Sequence, residues 1–220
     1  MLICEELFLL LTRDDGKPES AFTSPGYGYA AAAITDLVLA GRVDLSDDDD
    51  PRVTVVDPSP TDNRLLDEAL ARVREKDGKK LSSLVTDGKV APEKRIAESL
   101  ERAGVVRVEE GRMLGLVPDR RPAVDPAPER HLRERLRVAL QGREVTPHEA
   151  TLLSILSALD VAPKVLEEET AGMSKKEVKA RIKEVTAEVE AGDAVRKAVA
   201  TMNTVILTAV ILPAAMGGSN

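Results

Sequence analysis

The sequence predicts a mainly α fold carrying short β-hairpins, and three observations lead there. Apolar residues recur at i, i+3, i+4 and i+7 through much of the chain. Proline and glycine stand at the ends of several of these stretches, where helices start and stop. A helix, a glycine and a hairpin also follow one another twice, Ile34 to Arg42 leading into Val43–Asp57 and Ile96 to Gly104 leading into Val105–Pro118. Units of that kind dock onto something, and nucleic acid, a lipid surface and another subunit are the partners to weigh.

Residues 2–11 are apolar on most sides and end in the turn formers Thr12 to Gly16, so a buried N-terminal helix or strand is expected. Ser24-Pro25-Gly26-Tyr27-Gly28 reads as a loop feeding a helix over Tyr29–Ala40, where Ile34, Leu37, Val38 and Gly41 keep helical spacing. Val43–Leu45 and Val53–Val56 are the expected strands of the first hairpin, with Asp47 to Asp50 as a solvated tip. The spaced carboxylates and glycine of an EF-hand are absent there. Leu66, Ala69, Leu70 and Val73 make an amphipathic helix over Asn63–Lys76, capped by Thr61 or Asp62.

Leu81, Leu84 and Val85 add a short apolar set; Pro92 then opens a helix over Glu93–Ala103 and Gly104 closes it. The second hairpin is expected over 105–118, turning at Glu109-Glu110-Gly111. Thr146-Pro147-His148-Glu149 and Ser174-Lys175-Lys176-Glu177 are capping boxes. They start helices carrying Leu152, Leu153, Leu156 and Leu159, and Val178, Ile182, Val185 and Val189, with His148 as a first-turn surface residue. The stretch 194–212 becomes apolar all round after Ala198 and reads as a buried helix. Its apolar run is well short of the roughly 20 residues a bilayer span needs.

Composition limits the functions. A length of 220 residues suits one sizeable domain or two small ones, and 43% hydrophobic residues can build a core. Aromatics are 2% with no Trp, so the core is aliphatic and base-stacking platforms are not expected. The net charge of -7 opposes general attraction to polyanions, which leaves a local basic patch acting within a Debye length. Cys4 is the sole cysteine, and with His131 and His148 it gives no zinc-ligand spacing; a reducing, cytoplasmic setting is expected. The first residues lack the basic region of a signal peptide.

No Walker sequence, dinucleotide glycine fingerprint or nucleophile elbow is present, so no catalytic residue, metal or cofactor is expected and an interaction protein is the default. Charge turns basic over 111–143, with eight arginines (Arg112, Arg120, Arg121, Arg130, Arg133, Arg135, Arg137, Arg143) against four acids. Helical spacing puts Arg130, Arg133 and Arg137 on one face, which reads either as an ordinary solvated face or as a contact for an anionic surface. Winged-helix DNA binding is the alternative reading of the helix and hairpin units. It is weakened because the helix over 93–103 is nearly neutral and that over 29–40 has Asp36 and no base, so nucleic acid is not the expected partner.

Several segments taken together resemble the GOLPH3/Vps74 (GPP34) family of Golgi phosphoproteins. They are Leu65-Leu66-Asp67-Glu68-Ala69-Leu70, Ile34 through Val43, Arg95-Ile96-Ala97 through Gly104-Val105, Leu152 through Leu156, and Thr201-Met202-Asn203. They fall in order over about residues 3–215, so the chain is identified as a divergent member. The resemblance implies a single, mainly helical domain with a central hydrophobic helix, surrounding amphipathic helices and a protruding hairpin. It also implies peripheral membrane association through phosphatidylinositol 4-phosphate, self-association through the hairpin matched by 105–118, and membrane-protein tails as partners.

The family's lipid site carries over in part. The Trp of the loop before the first amphipathic helix has Phe22 as its nearest aromatic counterpart, and the Arg at that helix's start falls at about Ala30. Two further Arg positions fall near Val90 and Glu93; Arg95 matches another basic position, with Lys89 and Lys94 close by. The lipid or anion site expected from resemblance and local charge together is Phe22, Lys89, Lys94, Arg95, Arg112, Arg120, Arg121 and Arg133.

Overall fold

The computed structural model describes residues 1–19, 25–109, 119–143, 145–187 and Val205. All eight residues of α1 (Ile3–Leu10) are buried, which settles the N-terminal segment as a helix. It is central because it packs on α2 (Pro25–Leu39), α5 (Glu93–Arg102), α6 (Ala127–Leu140) and α7 (Pro147–Ala158) at once. A helix apolar on most sides finds its free-energy minimum in that position, each buried Leu, Ile or Phe contributing about 2 kcal/mol relative to exposure. Its two buried carboxylates are partnered there, Glu5 by Leu2 N–H and Ser99 and Glu6 by Arg135 and His148.

The second inner helix, α2, is buried from Gly28 to Val38. It starts earlier than its sequence suggests, because Pro25 fits the first turn and residues 25–28 are helical. Gly28 is there for packing: a Cβ would lie 2.9 Å from the Leu159 side chain and 3.1 Å from Ile155. A side chain at that point would force the ends of the Leu159 and Ile155 side chains to shift.

Around these lie the amphipathic α3 (Arg64–Arg74), the short α4 (Leu81–Val85) and α8 (Ala162–Val165), and α9 (Lys175–Ala187). Asn63 caps α3, accepting from the N–H of Leu65 and Leu66 at 3.0 and 3.2 Å. The cap is thus neither of the two residues expected, Thr61 or Asp62, and Thr61 instead bonds Asp67 through both its N–H and its hydroxyl. In the capping box of α9, Ser174 and Glu177 satisfy each other's backbone N–H.

The first hairpin pairs β1 (Val43–Leu45) with β2 (Val53–Val55) in the register Val43 to Val55. Its acidic tip is not wholly solvated, since Asp50 accepts from the N–H and hydroxyl of Ser82 at 3.1 and 2.7 Å and so anchors the start of α4. The buried helix expected over 194–212 lies outside the described residues apart from Val205, which is helical and buried.

Candidate functional site

The second hairpin has two arms, and their register sorts its arginines. Val106 pairs with Ala123 and Glu109 with Arg120. Glu109 and Arg120 each donate an N–H to the other's carbonyl, at 2.8 and 3.0 Å, and the Val124 N–H closes the base on the Val105 carbonyl at 2.8 Å. Both pairs share one register, so the chain reverses between Glu109 and Arg120. Glu109, the first residue of the expected turn, is a paired residue; the rest of that turn, Glu110-Gly111, lies outside the described residues, and the base extends past Pro118 to Val124. Alternation then turns Val106, Val108 and Arg121 toward the domain and Arg107, Glu109 and Arg120 away from it. Val106 is buried accordingly, while Arg107 and Arg120 are exposed.

The returning arm is held on its other side by the turn after α1. Arg121 N–H donates to the Gly16 carbonyl and Ala123 N–H to that of Asp14, both at 3.2 Å. Gly16 has φ +77°, and a Cβ there would lie 2.4 Å from the Arg121 nitrogen. Glycine is therefore required both by the left-handed backbone and by the approach of two chains.

This clamp delivers Arg121 to the first residue of α5. Its Nη1 lies 2.9 Å from Glu93 Oε1, with Asp119 more distant at 3.8 Å. The side chain is 17% exposed, and its Nε is buried with no hydrogen-bond partner among the described residues. Tyr29 of α2 stands beside the pair; burial foremost, with Glu93 adding, pushes its hydroxyl far above the usual range, against Arg121.

Among the described residues no side chain caps α5, and the N–H groups of Arg95 and Ile96 both go to the Pro92 carbonyl. The first N–H groups of the helix face outward, as at any uncapped start. Lys89 and Lys94 flank this point in sequence; both are exposed and make no ion pair among the described residues. Arg95 is committed to Glu98 at 2.8 Å and Glu68 at 3.4 Å. Phe22 and Arg112 lie outside the described residues.

Of the three arginines expected on one face of α6, Arg133 and Arg137 are neutralised, whereas Arg130 is exposed with no ion pair among the described residues. Arg133 donates to Glu129 at 2.8 Å, the Val165 carbonyl at 3.0 Å and Glu169 at 3.3 Å, and the Glu169 side chain is fully buried. Arg135 meets Glu6 at 2.8 Å and Glu149 at 3.1 Å, and Arg137 meets Glu134 at 2.6 Å. Most of these acids come from distant parts of the chain, which a local charge count does not see. Arg133 also edges a cleft of about 770 Å³ that sets Arg13 and Lys164 against Asp14, Glu167 and Glu168. Arg130 lines the cleft as well, and its acids outnumber its cations.

His148 is an inner partner and not a free surface residue: its Nε2 lies 2.7 Å from Glu6 Oε2. Burial would raise the Glu6 carboxyl, but the hydrogen bonds and charges of His148 and Arg135 outweigh it and hold the group below its ordinary value. Sequence reasoning also passed over Arg107, although its place in the alternation Val105-Val106-Arg107-Val108 was the signal for an outward cation.

Among the described residues, no three His, Cys, Asp or Glu are placed to hold a metal ion, and no helix is long and apolar enough to cross a membrane. A family model described as Golgi phosphoprotein 3 (GPP34) matches residues 3–202. No curated protein matches the chain.

Proposed function

The chain belongs to the Golgi phosphoprotein 3 (GPP34) family, and from that premise we propose that it is a peripheral membrane protein that docks on anionic lipid. Docking uses the start of α5 and the outer face of the second hairpin. The observation that carries the reading is the set Lys89, Lys94, Arg107 and Arg120, four exposed cations with no ion pair among the described residues. Near an anionic bilayer each contributes about 1 kcal/mol, so together they offset the repulsion of an acidic chain only at close range.

Phosphatidylinositol 4-phosphate is the headgroup that the resemblance implies. The described site favours charge over headgroup identity, since Val90 and Glu93 stand where the resemblance implies arginines. Binding therefore rises with the anionic charge of the surface and falls with salt. Co-sedimentation with vesicles of phosphatidylcholine alone, with added phosphatidylserine, and with added phosphatidylinositol 4-phosphate tests this. Absence of binding to every anionic vesicle would sink it.

A further inference from the structure

We propose that Glu93 is a built-in anion that occupies Arg121 and restrains the affinity of this surface for phosphate-bearing ligands, so that such a ligand engages Arg121 only by displacing Glu93. The inference rests on the membrane-docking reading and concerns the regulation of that same surface. Four observations carry it. The Arg121 backbone is placed on two sides, through Gly16 and through the hairpin register, so its backbone position owes nothing to Glu93. Its guanidinium nonetheless has Glu93 at 2.9 Å as its close acid, while Asp119 stands at 3.8 Å. The buried Nε has no partner, so the carboxylate leaves the guanidinium's bonding capacity unfilled. Glu93 is itself the first residue of a helix with no side-chain cap among the described residues, and its side chain is 43% exposed, which leaves it room to swing into solvent.

A phosphate suits this place better than the carboxylate does. It offers more acceptor oxygens to one guanidinium, and the outward N–H groups at the start of α5 favour negative charge in the same position. Lys89 and Lys94 lie within a few residues of Glu93 and add cations around it. Glu93 opposes such a ligand twice, by holding Arg121 and by repelling the incoming charge.

The test uses the full chain and vesicle co-sedimentation at fixed ionic strength. Glu93→Gln keeps the shape and removes the charge. It raises association with anionic vesicles by about fivefold, the equivalent of the ~1 kcal/mol one charge contributes at such a surface. Glu98→Gln removes the same charge five residues along α5, from a carboxylate paired to Arg95, and leaves association within about twofold. Adding Arg121→Gln to Glu93→Gln abolishes the gain, and the far-UV circular dichroism of each variant confirms its fold. Inorganic phosphate at constant ionic strength separates two sources of the ligand. Competition with the gain assigns Arg121 to a free phosphate as well, and persistence of the gain assigns it to a headgroup on the bilayer. A gain with Glu98→Gln equal to that with Glu93→Gln, or none with Glu93→Gln while the unaltered protein binds, overturns the role of Glu93 and leaves the membrane reading standing. If neither protein binds any anionic vesicle, the membrane reading itself falls.

Discussion

The Asp36 carboxylate of α2 accepts the backbone N–H of Ile3 at 3.0 Å, and so caps from a distance the helix at the centre of the domain. Its second oxygen takes the Cys4 N–H at 3.3 Å. Burial pushes Asp36 up to about 7, against the Ile3 and Cys4 N–H groups and the charge of His148. The folded state therefore holds a proton that the unfolded chain releases near the ordinary value of 3.8. Stability from this group is present in full below that ordinary value and is lost as pH rises through about 7. Denaturant unfolding at pH 6 and pH 8 will show this chain weaker at pH 8. Asp36→Asn will flatten that slope, although its amide nitrogen meets the Cys4 N–H and lowers stability at both values. An unchanged slope would remove Asp36 as the cause.

Gly16→Ala will destabilise the fold by about 2 kcal/mol or more, since it combines a left-handed backbone with a Cβ placed against the backbone of Arg121. Relief requires the returning arm to move, so amide exchange at Arg121 and Ala123 will quicken more than exchange in α7. A variant melting with the parent would show that the arm is not clamped at Gly16.

Arg133→Met will cost about 3–5 kcal/mol, because it strands the fully buried Glu169 side chain. Vesicle binding by the protein that stays folded will not change. Pairing the substitution with Glu169→Leu will restore part of the stability. Weaker vesicle binding by folded Arg133→Met would return α6 to the docking surface.

Much of the fold was legible in the sequence and less of the surface was. Helix periods and caps are local, so Leu66 to Val73 and Ser174 with Glu177 announce their elements within a few residues. The family resemblance rests on such segments and gave the mainly helical architecture. Charge pairing is not local. Arg135 meets Glu6 across 129 positions and Arg133 meets Glu169 across 36, so a stretch that counts as basic folds into a mostly neutral helix. The hairpin register was hidden for a related reason: the pairing of Glu109 with Arg120 joins residues eleven positions apart, which local turn chemistry does not announce.

Neutralising outward cations will separate the two candidate surfaces. Lys89→Gln with Lys94→Gln, and separately Arg107→Gln with Arg120→Gln, will each weaken anionic vesicle binding by about 2 kcal/mol, roughly thirtyfold. Arg137→Gln, whose partner Glu134 lies on the same helix, will leave binding within about twofold. A loss with Arg137→Gln of about half that free energy, roughly fivefold, would point to net charge alone.

The central claim is that the start of α5 and the outer hairpin face meet an anionic membrane. Its most direct test is vesicle flotation of the full chain beside the quadruple variant Lys89→Gln, Lys94→Gln, Arg107→Gln, Arg120→Gln, on neutral and phosphatidylserine-containing vesicles at low and physiological salt. The unaltered chain will float with anionic vesicles, more at low salt, and stay behind with neutral ones, and the variant will stay behind with both. Flotation of the variant to the same extent as the parent, or failure of the parent to float with anionic vesicles at low salt, would contradict the claim.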